Sequence, residues 1–113
     1  MLRPMRAAML HEFGPPENLR LEEVPDPVAG PGQVVVDVIS CGVNFPDVLM
    51  IQDKYQFKPP LPFAPGGEIA GTVSAVGPDV TGLAVGDLVA ASCGTGGFAE
   101  KAVVSATSAF RLP

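Results

Sequence analysis

The amino-acid sequence predicts a mainly β fold, specifically a partly closed β-barrel with one or two short helices. Two observations predict it. Apolar stretches of about four to eight residues, rich in Val, Ile and Ala, recur along the chain and have the length and composition of β-strands. Thirteen glycines and thirteen prolines lie between them, where they favour turns by fixing or freeing φ. Many short strands at close spacing favour closure, because pairing around a barrel removes most unpaired edges.

The predicted elements follow one another along the chain as short strands that one helix interrupts. The helix spans about residues 46–52, because Asn44 can cap its N-terminus, Pro46 falls in the first turn, and Asp47 suits the positive end of the helix dipole. Residues 61–67 form an irregular loop, since its prolines prevent regular pairing and its glycines allow close backbone approach. The predicted strands are residues 5–10, 19–24, 33–39, 69–76, 88–91 and 98–104.

Composition and charge limit the classes of function. The chain of 113 residues is the size of one domain, with 47% hydrophobic residues to form a core. A formal net charge of -5 argues against binding to nucleic acid or to an anionic membrane surface. No apolar run approaches the roughly 20 residues that span a bilayer, and residues 1–4 lack the pattern of a signal peptide. We therefore expect a cytoplasmic protein that binds neither nucleic acid nor membrane.

Three segments carry a family resemblance: GVNFPD (42–47), PGGEIAG (65–71) and VGDLV (85–89). Together with MRAAM (5–9) and GTGGFAE (94–100), they resemble the N-terminal, GroES-like catalytic domain of medium-chain dehydrogenase/reductases. The five segments occur in the family's order and cover nearly the whole chain, so the resemblance is specific. It implies that residues 1–113 form one GroES-like, alcohol dehydrogenase-like N-terminal domain.

The sequence departs from the zinc-dependent members of that family at two positions. Those enzymes bind their catalytic zinc through a Cys and a His where this chain has Asn44 and Gly67. An amide and a bare backbone are poor replacements in a site that needs three protein ligands and one open position. We therefore expect no metal. Cys41 and Cys93 are interpreted as buried thiols, since neither belongs to a C-x-x-C pair.

Without zinc, the resemblance narrows to quinone oxidoreductase-like and enoyl reductase-like enzymes. These transfer hydride from NADPH to the β-carbon of a conjugated C=C–C=O system, and hydrogen-bond donors can stabilise the resulting enolate. In the family, NADPH is held mainly by a second, doubly wound Rossmann domain, which residues 1–113 do not supply. The small-molecule partner is then a quinone or an enone, the fragment alone is expected to be inactive, and the full-length protein is a possible homodimer.

Two residues are the candidate catalytic groups. Asn44 is a neutral donor suited to the nicotinamide or to a substrate carbonyl, and it can equally serve as a helix cap. Tyr55 is the only tyrosine and lies where medium-chain enoyl-thioester reductases, in this resemblance, supply an acid tyrosine. A phenol is protonated at neutral pH and can donate its proton. The alternative interpretation of Tyr55 is an aromatic residue at the rim of the proline loop.

The remaining candidates are expected to line or support the site. Asp47 and Glu68 are interpreted as mainly architectural, ordering the helix start and the glycine loop. Gly66 and Gly67 allow the backbone to pass close to substrate or cofactor. An apolar wall for a planar ring is predicted from Phe45, Phe57 and Phe63.

A second class of function stays open on the sequence alone. The chain could be a stand-alone GroES-like module that binds or scaffolds without catalysis. Asn44, Tyr55 and the Gly66-Gly67 pair are its weakest point, because a scaffold would not require them.

Overall fold

The computed structural model describes residues 4–113, and the interpretation of residues 1–3 in terms of a signal peptide lies outside that range. The mainly β prediction is confirmed, and the predicted helix is present as α1, Phe45–Ile51. Two single-turn 3-10 helices, Pro16–Asn18 and Ala106–Ser108, complete the helical content of the described residues. The strands are β1 Pro4–Leu10, β2 Leu19–Pro25, β3 Gln33–Gly42, β4 Glu68–Val76, β5 Leu88–Ser92, β6 Lys101–Ser105 and β7 Ala109–Arg111.

The strands form two antiparallel sheets that are not closed into one barrel. β1 and β2 form a hairpin, and the other strands form a five-stranded sheet in the order β6-β3-β4-β5-β7. Residues 98–100 connect the two sheets, since Ala8 N–H donates to the Phe98 carbonyl (2.8 Å) and Val38 N–H donates to the Glu100 carbonyl (2.9 Å). The two sheets are therefore joined through this bridging segment, and the predicted barrel closes only to that degree.

The start of β6 and the presence of β7 differ from the prediction for the same kind of reason. The predicted strand at 98–104 begins only at Lys101, because the three preceding residues are shared between β1 and β3 instead of continuing one ladder. Strand β7 was not predicted. It has only three residues and pairs along one edge of β5, so it carries no alternating pattern long enough to detect.

The main core lies on one face of the five-stranded sheet. Successive side chains of a strand point to opposite faces, so apolar residues two apart fall on the same side. In β5, for example, Val89 and Ala91 are buried while Leu88 and Ser92 are exposed. Full burial of a valine contributes roughly 1.5–3 kcal/mol. The buried members of this cluster are Val34, Val36, Ile69, Val73, Val89, Ala91, Ala102 and Val104.

A smaller cluster holds α1 against the hairpin. Leu10, Met50, Ile51 and Phe63 are its buried members, and Tyr55 packs against it. The backbones of Leu10 and Phe63 exchange two hydrogen bonds of 2.8 and 3.2 Å, which fixes the proline loop to the end of β1. The cluster thus places α1 and the proline loop beside the end of β1. Within residues 4–113, no helix has the length and apolar character needed to cross a bilayer.

Candidate functional site

A cleft of about 430 Å³ opens where the start of α1 meets the start of β4. A volume of a few hundred Å³ is typical of small-molecule sites. Six sequence-predicted site residues line this cleft: Asn44, Asp47, Tyr55, Phe57, Gly67 and Glu68. Its remaining lining residues are Pro46, Met50, Ser92 and Gly94.

Asn44 and Glu68 form a hydrogen-bonded pair at the cleft. The Asn44 Nδ2 donates to Glu68 Oε1 over 2.6 Å, and both side chains are exposed. An ionised carboxylate only accepts hydrogen bonds, so Glu68 fixes which end of the Asn44 amide faces it. The amide nitrogen carries a second N–H, which this contact does not use. Glu68 therefore orients a neutral donor that retains one donating group for a ligand.

Asp47 is the one buried charged side chain among the described residues, with 5% of its surface exposed. Its Oδ2 accepts the Asn44 backbone N–H (2.9 Å), and its Oδ1 accepts the Gly66 backbone N–H (3.1 Å). Hydrogen bonds to a charged acceptor contribute roughly 1.5–3 kcal/mol each. The Asp47 carboxylate thereby ties the start of α1 to the glycine loop.

The two loop glycines occupy different surroundings. Gly66 is buried with φ 103°, and a Cβ there would lie 2.8 Å from Cys41 Sγ and 2.6 Å from Phe98 Cδ1. It therefore packs behind the cleft wall and does not belong to the lining residues. Gly67 does line the cleft, and its carbonyl accepts the Cys93 N–H over 2.8 Å. Of the pair, Gly67 is the one that offers bare backbone to a ligand.

The predicted aromatic wall is only partly assembled. Phe57 lines the cleft with 54% of its surface exposed. Phe63 is 7% exposed and belongs to the small core, while Phe45 is 72% exposed and does not line the cleft. Tyr55 is half-buried, lines the cleft and packs on the core cluster, so its position suits both an acid and a rim aromatic.

Four lining residues were missed from the sequence: Pro46, Met50, Ser92 and Gly94, of which Pro46 was assigned only a helical role. Ser92 illustrates the reason. It lies directly opposite Glu68 in the pairing of β5 with β4, so only knowledge of the strand register could have identified it. Met50 faces the cleft from the last turn of α1, where it also belongs to the small core.

The two cysteines lie behind the glycine loop and are half-buried, not fully buried as expected. Burial is the main cause that raises the pKa of the Cys41 thiol, and the negative charge of Asp47 adds to it. Burial, followed by the neighbouring Cys41, raises the pKa of Cys93 to about 11. The Cys93 Sγ donates to the Gly66 carbonyl over 3.3 Å. Both thiols are thus held protonated as packing groups.

The side chains suited to metal binding are dispersed. Across residues 4–113, no three His, Cys, Asp or Glu side chains lie close enough together to hold a metal ion.

Relatives of known sequence and structure share this fold. The chain is 45% identical over 109 residues to a quinone oxidoreductase-like protein 2 homolog of Nematostella vectensis, covering 96% of this chain and 30% of the relative. A probable oxidoreductase from Mycobacterium abscessus superposes with a TM-score of 0.92 at 40% identity, covering 100% of this chain and 36% of that one. A mycobacterial protein solved in complex with NADPH gives a TM-score of 0.88 at 35% identity, covering 96% of this chain and 34% of that one.

The chain thus spans about a third of the length of these relatives. The alcohol dehydrogenase GroES-like domain matches residues 30–113, which is well over half of the chain. On that match, and on the fold shared with the oxidoreductases above, the chain belongs to the alcohol dehydrogenase GroES-like domain family.

Proposed function

We propose that this chain is the substrate-side catalytic domain of a zinc-free, NADPH-dependent oxidoreductase that transfers hydride to a quinone or to a conjugated enone or enoyl acceptor. The observation that carries the proposal is the Asn44–Glu68 pair facing the same cleft as Tyr55. The names of the relatives support an oxidoreductase, and one structural neighbour was solved with NADPH.

The cleft suits the nicotinamide end of NADPH and not its phosphates. Gly67 and Gly94 carry no side chains, which leaves room beside the acceptor for a flat ring. None of the ten lining residues is Lys, Arg or His, the residue types that usually bind phosphate. The phosphates therefore require residues outside this cleft, which agrees with a second domain in a longer protein.

Asn44 would stabilise the charge that develops on the acceptor. When bound, NADPH would supply the hydride that the β-carbon of the C=C–C=O system accepts. The electron pair of the C=C bond then moves toward the carbonyl oxygen, which becomes an enolate oxygen. The second N–H of the Asn44 amide can donate to that oxygen while Glu68 holds the amide in place, so no metal is needed.

Tyr55 would complete the reaction as the general acid. The enolate needs a proton at its α-carbon, and Tyr55 is the lining residue whose phenol can donate one. Solvent then returns the proton to the phenolate. Tyr55 packs on the small core and lines the cleft, so its ring is positioned by that core.

Replacing Tyr55 with Phe in the longer protein that contains this domain tests the assignment. We expect kcat/KM for an enone to fall by about 10²–10⁴, because proton donation is lost while the ring is kept. The free energy of unfolding should change little, since the phenyl ring still packs on the small core. Phe57→Leu, which changes a lining residue without a proton to donate, is the matched control and should mainly raise KM. Unchanged turnover in Tyr55→Phe would return Tyr55 to the rim-aromatic interpretation.

The division of labour between domains has its own test. This chain alone should bind NADPH weakly and reduce no quinone, because its cleft lacks cationic side chains for the phosphates. Tight NADPH binding or quinone turnover by the isolated chain would contradict the proposal. A longer protein that binds ligands in this cleft but reduces none of them would favour the stand-alone binding or scaffold module. A cytoplasmic location and a full-length homodimer remain predictions.

A further inference from the structure

The charged residues that line the cleft are all acidic. Glu68 and Asp47 both line it, and no cationic residue does. The nearest partner of the Glu68 carboxylate is the neutral amide of Asn44 at 2.6 Å, which orients the carboxylate without neutralising it. Glu68 is exposed at the cleft.

No lysine or arginine of residues 4–113 lines the cleft. Lys58 pairs with Asp53 at 2.6 Å, and Lys101 pairs with Asp37 at 3.2 Å. Neither lysine lines the cleft. Within the part of the chain that the structure describes, the cleft lining thus carries Glu68 and Asp47 with no cationic side chain beside them.

A neighbouring thiol responds to the same field. Cys41 lies behind the glycine loop. Burial is the largest cause that raises the pKa of its thiol, the charge of Asp47 raises it further, a hydrogen bond to the Glu68 backbone lowers it, and the charge of Glu68 raises it. A negative potential disfavours any further anion, and a thiolate is one such anion. The charges of Asp47 and Glu68 therefore act on Cys41 with the same sign as on a ligand in the cleft.

From this geometry we infer that the cleft selects acceptors that are uncharged near the reacting carbonyl, such as neutral quinones and ketones, and rejects those carrying an ionised carboxylate or sulfonate there. The inference rests on the proposed function and narrows its substrate class. Unsaturated carboxylates are excluded by the same argument, because their charge would adjoin Glu68 and Asp47. A remote charge, such as a phosphate at the far end of a thioester carrier, is not excluded.

The size of the cleft sets the strength of the effect. Taken as a cube, 430 Å³ is roughly 7.5 Å across, which is shorter than the Debye length of about 10 Å at 0.1 M salt. Salt at that concentration therefore screens the repulsion between Glu68 and an anion in the cleft only partly. At such separations near a protein surface, repulsion by one negative charge lowers the affinity of an anionic ligand by about tenfold or more relative to that of a neutral ligand.

Binding can be measured without turnover, because Tyr55 is the only tyrosine and the chain has no tryptophan. Its fluorescence therefore reports from a lining residue. The probes are 1,4-naphthoquinone and a ring-sulfonated naphthoquinone, with N-acetyltyrosinamide as the control for collisional quenching. We expect the neutral quinone to bind at least about tenfold more tightly at low salt, with the ratio falling as salt rises to about 0.5 M.

Two variants assign the effect to Glu68. Glu68→Gln keeps the size and an acceptor for Asn44 but removes the charge, and should reduce the neutral-to-sulfonated affinity ratio about five- to tenfold. Glu23→Gln removes one charge from an exposed position of β2 that does not line the cleft, and should leave the ratio within about twofold. If Glu68→Gln does not fold, the salt dependence of the affinity ratio in the unaltered chain still tests the inference.

Equal affinity for the two quinones, or a ratio that neither salt nor Glu68→Gln changes, would overturn the inference. The outcomes separate it from the proposed function. Charge-selective binding by a longer protein that reduces neither quinone would leave the selectivity intact and remove the reductase assignment. Equal reduction of both quinones would support the reductase assignment and remove the charge selectivity.

Discussion

The five-stranded sheet and the cleft side of the molecule are held together by different forces. The sheet buries an apolar face in which Val34, Val36 and Val89 are each 0% exposed. The cleft side contains the buried charge of Asp47, and its loops are held by individual hydrogen bonds and not by a continuous strand ladder. Burial of apolar surface is non-directional, whereas a buried carboxylate needs specific partners. The sheet therefore provides most of the stability, and the hydrogen bonds of the cleft side position the site residues.

The loops on the cleft side depend on backbone hydrogen bonds between segments far apart in sequence. Gly97 N–H donates to the Gly66 carbonyl (2.9 Å), and Phe98 N–H donates to the Pro65 carbonyl (2.9 Å). Because Gly97 is 31 positions after Gly66, these contacts form only once the sheet has brought both segments together. The difference between the two regions predicts that changes in the sheet affect folding, while changes in the cleft affect the site first.

The largest effect is expected from Gly71→Val in β4. A Cβ at Gly71 would lie 2.0 Å from the Asp37 carbonyl oxygen, which is backbone and cannot rotate away. The β3–β4 pairing should be lost, and with it the cooperative unfolding transition in urea. Ala70→Val is the control on the same strand, half-buried where a β-branched residue suits a strand, and should change stability by less than about 1 kcal/mol. A normal transition for Gly71→Val would show that this sheet is looser than its geometry indicates.

Asp47→Asn should have a moderate effect that reaches the site. The amide keeps the shape but loses the charge, and its NH₂ must face one of two backbone N–H donors, so we expect a loss of about 2 kcal/mol in unfolding free energy. Asp37→Asn is the control. It weakens an exposed pair with Lys101, which is worth about 0–1 kcal/mol. Equal losses for the two variants would mean that Asp47 does not tie α1 to the glycine loop.

The smallest effect is a pH dependence at the boundary of the two regions. The pKa of Cys93 is raised from 9.0 to about 11, chiefly by burial. Between these values the unfolded chain releases the thiol proton while the folded chain keeps it, so stability falls as pH rises from about 9 to 11 and is unaffected below. Unfolding in urea at several pH values should show a smaller alkaline decline for Cys93→Ala. Parallel declines in the two proteins would contradict the assignment.

The sequence predicted the regular elements because their signals are local. Strand β3 has a continuous Val-rich run, and α1 carries Pro46 and Asp47 at its start, which are properties of neighbouring residues. The start of β6 and the whole of β7 could not be predicted, since both depend on which strand lies alongside. Local patterns specify elements, and pairing specifies where they end.

The same limit applies to the candidate site. Asn44, Glu68 and Gly67 were found because motif segments mark them, and they do line one cleft. Phe63 was misplaced, since an aromatic residue next to a proline loop gives no sign of whether it faces a ligand or a core. Phe63 is hydrogen-bonded through its backbone to Leu10, and its side chain packs in the small core. Ser92 was missed because only strand register places it opposite Glu68.

The central claim is that an acceptor carbonyl binds at Asn44 within this cleft, and amide NMR of the isotope-labelled chain tests it most directly. Titration with a saturated ketone analogue of the acceptor should shift the Asn44 side-chain amide and the Gly67 and Tyr55 backbone amides. The groove beside Arg6 and Leu21 on the hairpin, a separate concavity of the molecule, should stay unchanged. Shifts confined to that groove, with the Asn44 amide unaffected at saturation, would contradict the account.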